Sequence, residues 1–158
     1  MMKQLNYVLK ASLLKGAIKS FLGRKEIGMY KDEAHFRSKL AEWLKNKDFE
    51  VEEEREVEMM NGDSLIPDII VHVYDKCILL ELKYNNTSLK EYKDDEEKCK
   101  RYIKDFEDVP DAYCLFVSDS HHDYRPDEWI DCERNSKYHY LWLSFSKKHK
   151  SLQAKNIN

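Results

Sequence analysis

Two apolar runs, LIPDIIVHVY (65–74) and CILLELKY (77–84), are separated only by Asp75 and Lys76, and three charged side chains interrupt them: Asp68, Glu81 and Lys83. A two-residue turn at Asp75-Lys76 makes the runs a β-hairpin, pairing Tyr74 with Cys77 and setting Asp68 opposite Lys83 and Ile70 opposite Glu81. Cross-strand partners share a face, so Asp68, Glu81 and Lys83 emerge together. Ile69, Val71, Val73, Ile78, Leu80, Leu82 and Tyr84 line the other face. Two carboxylates and an ammonium inside an apolar hairpin are costly to bury unless they are paired or hold a cation. Hard carboxylate oxygens suit Mg²⁺ or Mn²⁺, which lowers the pKa of a bound water and offsets charge on a phosphate under attack. Lys83 is then placed to orient or deprotonate that water, or to stabilise the transition state.

The surrounding sequence supplies elements to carry this hairpin. A helix is expected from about Tyr30 to Lys47, with Phe36, Leu40, Trp43 and Leu44 on one face. Glu33 points within about 30° of the centre of that stripe, where a first-turn acid complementing the helix dipole and a carboxylate aimed at a site are both open readings. Residues 49–60 (FEVEEEREVEMM) alternate Val51, Val57 and Met59 against five glutamates, the period of a strand with a solvated acidic face. A second core helix is expected over about 88–107. AYCLFVS (112–118) reads as a buried strand in parallel pairing, and YHYLWLSF (138–145) as a last strand.

With these elements in place, the chain resembles the PD-(D/E)XK, or restriction endonuclease-like, nuclease superfamily. The matching residues are Pro67-Asp68, twelve intervening residues, and Glu81-Leu82-Lys83 on consecutive strands. The order helix, three strands, helix, strand over about 30–118 matches the family's αβββαβ core. All three prolines here precede Asp and Glu-x-Lys occurs three times, so the motif discriminates only through its β-context. The resemblance implies an α/β fold with a mixed central sheet flanked by helices. It also implies Mg²⁺- or Mn²⁺-dependent hydrolysis of DNA, with RNA as a further possible substrate. Asp68, Glu81 and Glu33 would be the metal-site carboxylates and Lys83 the catalytic lysine. A structure-selective Holliday-junction-type resolvase, or an inactive nuclease-fold module that binds nucleic acid or protein, are the alternatives it leaves open. Asp95, on the helix after the motif, and Asn85, just beyond it, become candidates for substrate contact. So do His121 and Arg125 in the polar segment 118–129; Tyr84 and His72 share the neighbourhood.

Composition bounds the rest. The chain has 158 residues, 42% hydrophobic and 36% charged, with four glycines and three prolines, which excludes fibrous, low-complexity and disulfide-scaffold classes. A net charge of -3 predicts no strong nonspecific hold on a polyanion. That average hides a gradient: residues 1–25 carry six bases and no acid, leaving 21 bases against all 30 acids beyond them. Leu5, Val8, Leu9, Leu13, Ala17 and Phe21 form the stripe of a basic amphipathic helix, suited to packing on its own domain, to a homodimer contact or to phosphates. The expected organisation is this helix over 1–28, the nuclease-like domain over 29–146 and a polar, frayed tail over 147–158. No apolar run is long enough to span a bilayer, so no membrane association is expected. The dispersed cysteines, Cys77, Cys99, Cys114 and Cys132, read as reduced thiols, which places the expected setting in the cytoplasm.

Overall fold

The computed structural model describes residues 1–24, 26, 29–58, 62–84, 89–105, 109–118, 138–146 and 151–153. Helix α1 (Met2–Leu22) is followed by α2 (Glu33–Lys45), whose first turn is capped by Asp32 accepting from the His35 N–H at 2.8 Å. Strands β1 (Glu50–Glu53), β4 (Ile69–Val73), β5 (Lys76–Tyr84), β6 (Asp111–Ser118), β7 (Tyr138–Ser146) and β8 (Ser151–Gln153) form one sheet in the order β1-β4-β5-β6-β7-β8. A two-stranded ribbon, β2 (Val57–Glu58) with β3 (Ser64–Leu65), stands between β1 and β4 in the chain. Helix α3 (Leu89–Asp105) joins β5 to β6.

Pairing is antiparallel for β1, β4 and β5 and parallel from β5 through β6 to β7, so the sheet is mixed. The succession α2, β1, β4, β5, α3, β6 is the αβββαβ order of a restriction endonuclease-like core, with α1 added in front. The crossover through α3 is what a parallel β5–β6 pair requires. One face of the sheet carries Ile69, Val71, Val73, Ile78, Leu80, Leu82 and Tyr84 into the main core, against Leu14, Ile18 and Phe21 of α1 and Phe36, Leu40 and Leu44 of α2. On the other face Ile70 and Leu79 pack with Tyr102 of α3 and Val109.

Three expectations change. The β4–β5 turn is Tyr74-Asp75, with Tyr74 at φ 58°, so Val73 pairs with Lys76 and Ile69 with Leu80. The register is shifted by two residues, and because strand period is two, every side chain keeps its expected face. One step beyond Ile69 and Leu80, Asp68 therefore neighbours Glu81 rather than Lys83. The acidic run of 49–60 is not one strand: it breaks at Glu54, which adopts φ 48° and gives its N–H to the Asp68 carbonyl at 3.1 Å. In the tail, residues 151–153 pair antiparallel with β7 instead of fraying.

Phe36 ties α2 to the motif strand. It is fully buried and stacks on Tyr84, ring centroids 5.2 Å apart. Phe36→Ala is expected to cost about 3–5 kcal/mol, the range for deleting a buried aromatic ring; a urea-denaturation loss under about 1 kcal/mol would contradict this packing.

Candidate metal and phosphate site

The site forms where the carboxyl end of β5 meets α3 and the first turn of α2. Strand alternation sends Glu81 and Lys83 to the α3 face, and Asp68, just ahead of β4, borders Glu81. Asp68 Oδ2 accepts from the Leu82 N–H at 2.7 Å, between the two motif side chains, and Arg37 Nη1 lies 4.0 Å from its Oδ1. Glu33 reaches the same end of the sheet from α2, and its Oε2 accepts from the Tyr84 N–H at 3.2 Å. Helix α3 presents Asp95, Lys98 and Tyr102 on one face, at the i, i+3, i+7 spacing.

Glu81 is only 2% exposed, and α3 satisfies both of its oxygens. Tyr102 donates its hydroxyl to Oε1 at 2.5 Å, and Lys98 Nζ stands 3.4 Å from Oε2. Burial and the nearby Asp68 charge push the Glu81 carboxyl up to about 8, against the opposing pull of Lys98 and Tyr102. Asp95, 4% exposed, is pushed up to about 6 by burial, which outweighs the pull of Lys83 and Lys98. Its Oδ2 lies 3.5 Å from Lys83 Nζ, within ion-pair range, but accepts no hydrogen bond. Burial raises Glu33 as well, Lys83 opposes it and Asp68 adds to it. For Lys83, burial pulls downward, but Asp95, Glu33 and Asp68 outweigh it, so the ammonium is held above its ordinary pKa.

The structure thus brings together Glu33, Asp68, Glu81 and Lys83, with Asp95 beside Lys83. Asn85, His121 and Arg125 lie outside the described residues. Neither of the two neighbouring residues joins the site. Tyr84 is buried in the main core, its hydroxyl accepting from the Tyr30 N–H at 2.9 Å, because its parity points away from the site. His72 is bound to Glu52 at 2.6 Å, toward the turn end of the hairpin. Sequence reasoning missed Lys98 and Tyr102. Their spacing on α3 carries no local signal, because what turns Lys98 and Tyr102 inward is the buried Glu81 carboxyl on β5. Arg37 was missed too, although it follows Glu33 by one helical turn.

The acids offer hard oxygens, the donors that Mg²⁺ and Mn²⁺ take. Burial is the main reason that the Glu81 and Asp95 carboxyls are raised, and the Asp68 charge adds to both, so a divalent cation that offsets the repulsion among these acids fits the donor set here. Among the described residues no three His, Cys, Asp or Glu side chains gather into a ready-made cage. A cation held by Asp68 and Glu81, with Glu33 alongside, would complete its shell with water and phosphate oxygens. Among the described residues no helix is long and apolar enough to cross a membrane.

No protein-family model and no curated protein matches the chain. Among solved structures it is similar to a protein of unknown function, AF1548, at 18% identity over 52% of this chain and 45% of that one, with a TM-score of 0.41. It is also similar to a chain of the Thermococcus gammatolerans assembly of McrB AAA+ hexamers with bound McrC, at 13% identity over 76% of this chain and 30% of that one, with a TM-score of 0.40. The chain therefore spans less than half the length of each of these two structures.

Glu81 sets the pH dependence of the metal-free fold. A carboxyl whose folded pKa of about 8 exceeds its ordinary 4.5 stabilises the fold fully only below about 4.5, and that stability drains away as pH rises toward 8. Glu81→Gln, which stays neutral, is expected to raise stability at pH 7 by roughly 2 kcal/mol and to flatten this part of the pH profile. A urea midpoint that falls in the variant, or a wild-type profile rising from pH 5 to 8, would contradict the buried-acid account.

Proposed function

We propose that the protein is a metal-dependent nuclease that hydrolyses phosphodiester bonds of DNA. The observation that carries this reading is the convergence of Glu33 from α2, Asp68 from the edge of β4, and Glu81 and Lys83 from β5 at one end of the sheet. These residues are far apart in sequence, and their charges are coupled in space. The arrangement matches the reaction class in chemistry as well as in order along the chain.

Asp68, Glu81 and Glu33 would hold Mg²⁺ or Mn²⁺. The bound cation supplies a water of lowered pKa and a Lewis acid for the phosphate oxygens. The protein's own groups do the rest. Lys83, kept charged by its acidic neighbours, is suited to hold a phosphate oxygen and offset its growing charge rather than to act as a base. Tyr102 and Lys98 fix the orientation of the Glu81 carboxylate. Arg37 and the Leu82 N–H fix Asp68.

The basic arm contributes less to substrate holding than its charge suggests. Lys10 lies over the rings of Phe49 and Tyr74, and Lys3 borders Asp75 and Lys76, both at the turn end of the hairpin, away from the site. The Lys98–Glu81 pair favours one second reading, an inactive nuclease-fold module in which lysine has replaced the cation.

Cleavage assays on plasmid, single-stranded and branched DNA decide between them. Wild type is expected to cut at least one substrate with Mg²⁺ or Mn²⁺ and none with EDTA, while Glu81→Ala and Lys83→Ala lose activity by at least about a hundredfold, the scale of removing a transition-state charge partner. If wild type cuts none of them, or the variants cut equally well, the nuclease reading fails. Absence of Mn²⁺ binding by calorimetry would then favour the inactive module.

A further inference from the structure

Helix α1 has two apolar faces, and the fold uses one. At ~100° per residue, Leu14, Ile18, Phe21 and Leu22 point to the core, where each is almost completely buried. Met2, Leu5, Leu9 and Leu13 lie on the opposite side, and the three leucines are 59%, 57% and 68% exposed. The stripe expected from sequence therefore runs outward through most of its length. Along the second half of the helix the same outward face continues as Gly16 and Ser20. An added Cβ on Gly16 would meet nothing within 4 Å. Large side chains fill one half of the face and small ones the other.

We propose that this face is the interface of a homodimer in which α1 packs antiparallel against α1 of a second copy. Antiparallel alignment places Leu9 on the partner's Gly16, Leu5 on the partner's Ser20 and Met2 on the partner's Gly23, with Leu13 meeting its own copy at the two-fold axis. Three large residues then meet small ones on each side of a central leucine pair, and each contact recurs by symmetry, as an isologous interface requires. Charge permits this occupant. Asn6, Ser12, Gly16 and Ser20 complete the face without a formal charge, whereas Lys3, Lys10, Lys15 and Lys19 lie roughly 80° or more from its centre.

The seam also has room and extent. Beside α1 a groove of about 690 Å³ is lined by Leu9, Leu13 and Gly16 and by Phe49 and Tyr74, over whose rings Lys10 lies, with Lys47 and Asp48 lining it too. A helix of 21 residues offers a seam about 30 Å long. Two such faces bury on the order of 1,000 Å², the floor for a biological interface and the range of weak, reversible ones. This inference is independent of the nuclease reading, because α1 exposes the face at the far side of the core from Glu81.

Light scattering on the full chain at micromolar concentrations tests it. The expected mass is twice the 19.0 kDa of one chain. Gly16→Leu and Leu9→Lys, both at open positions that the monomer tolerates, are expected to weaken dimerisation by at least about tenfold with unchanged circular dichroism. Leu13→Cys, which faces its own copy at the two-fold axis, is expected to form an intersubunit disulfide under mild oxidation by oxidised glutathione, which wild type does not form. A monomer at all concentrations, or a dimer indifferent to both substitutions with no Leu13→Cys cross-link, overturns the proposal. A monomer that floats with anionic phospholipid vesicles overturns it in favour of a lipid surface.

Discussion

The burial of the Glu81 carboxyl organises the molecule. Placing an ionisable oxygen pair in the middle of a sheet, 2% exposed, is unfavourable unless each oxygen is satisfied. The chain meets that demand from α3, with a hydroxyl on one oxygen and an ammonium near the other. Helix α3 is thus more than the crossover a parallel sheet needs. It carries the groups that make the motif strand tolerable, and its docking on β5 and β6 is bound up with the state of the site.

The same constraint explains the arrangement of the other charges. Lys83, Lys98 and Arg37 face four acids, so one negative charge is left over; burial is the main cause of the raised Glu81, Asp95 and Glu33 carboxyls, and the neighbouring Asp68 charge adds to it. Incompleteness costs stability in the metal-free chain and becomes useful when a cation and a phosphate arrive together, since each supplies part of what the site lacks. Arg37 extends this logic outward. It lies between Asp68 and the bend at Glu53 and Glu54, linking the site to the point where the acidic run leaves the sheet.

Much of this was legible in the sequence because it rests on parity. Asp68, Glu81 and Lys83 share a face under any even-length turn, so a register wrong by two residues still put them together. Helix α2 announced itself through its stripe, and the parallel strand β6 through its continuous apolar run. What escaped notice depends on tertiary context. Nothing local in DDEEKCKRY says that Lys98 turns inward to an acid while Lys100 pairs with Glu96 and Glu97 at the surface. The break at Glu54 is likewise invisible in a period-two pattern, since it arises from a backbone bond to Asp68.

Helix α1 shows the limit of pattern reading most clearly. Its apolar residues occupy both sides of the helix, and periodicity cannot rank two stripes by what each will meet. The structure ranks them: the turns from Leu14 to Leu22 enter the core, held by the Trp43 indole N–H on the Ala17 carbonyl at 2.9 Å, while the leucines before them stay outside. An exposed stripe of this kind is an unfavourable surface for a lone chain. The basic residues lie to its sides, Lys10 among them against the Phe49 and Tyr74 rings. Charge at this end of the molecule therefore bears on association, and charge at the other end on chemistry, although a single net value of -3 covers both.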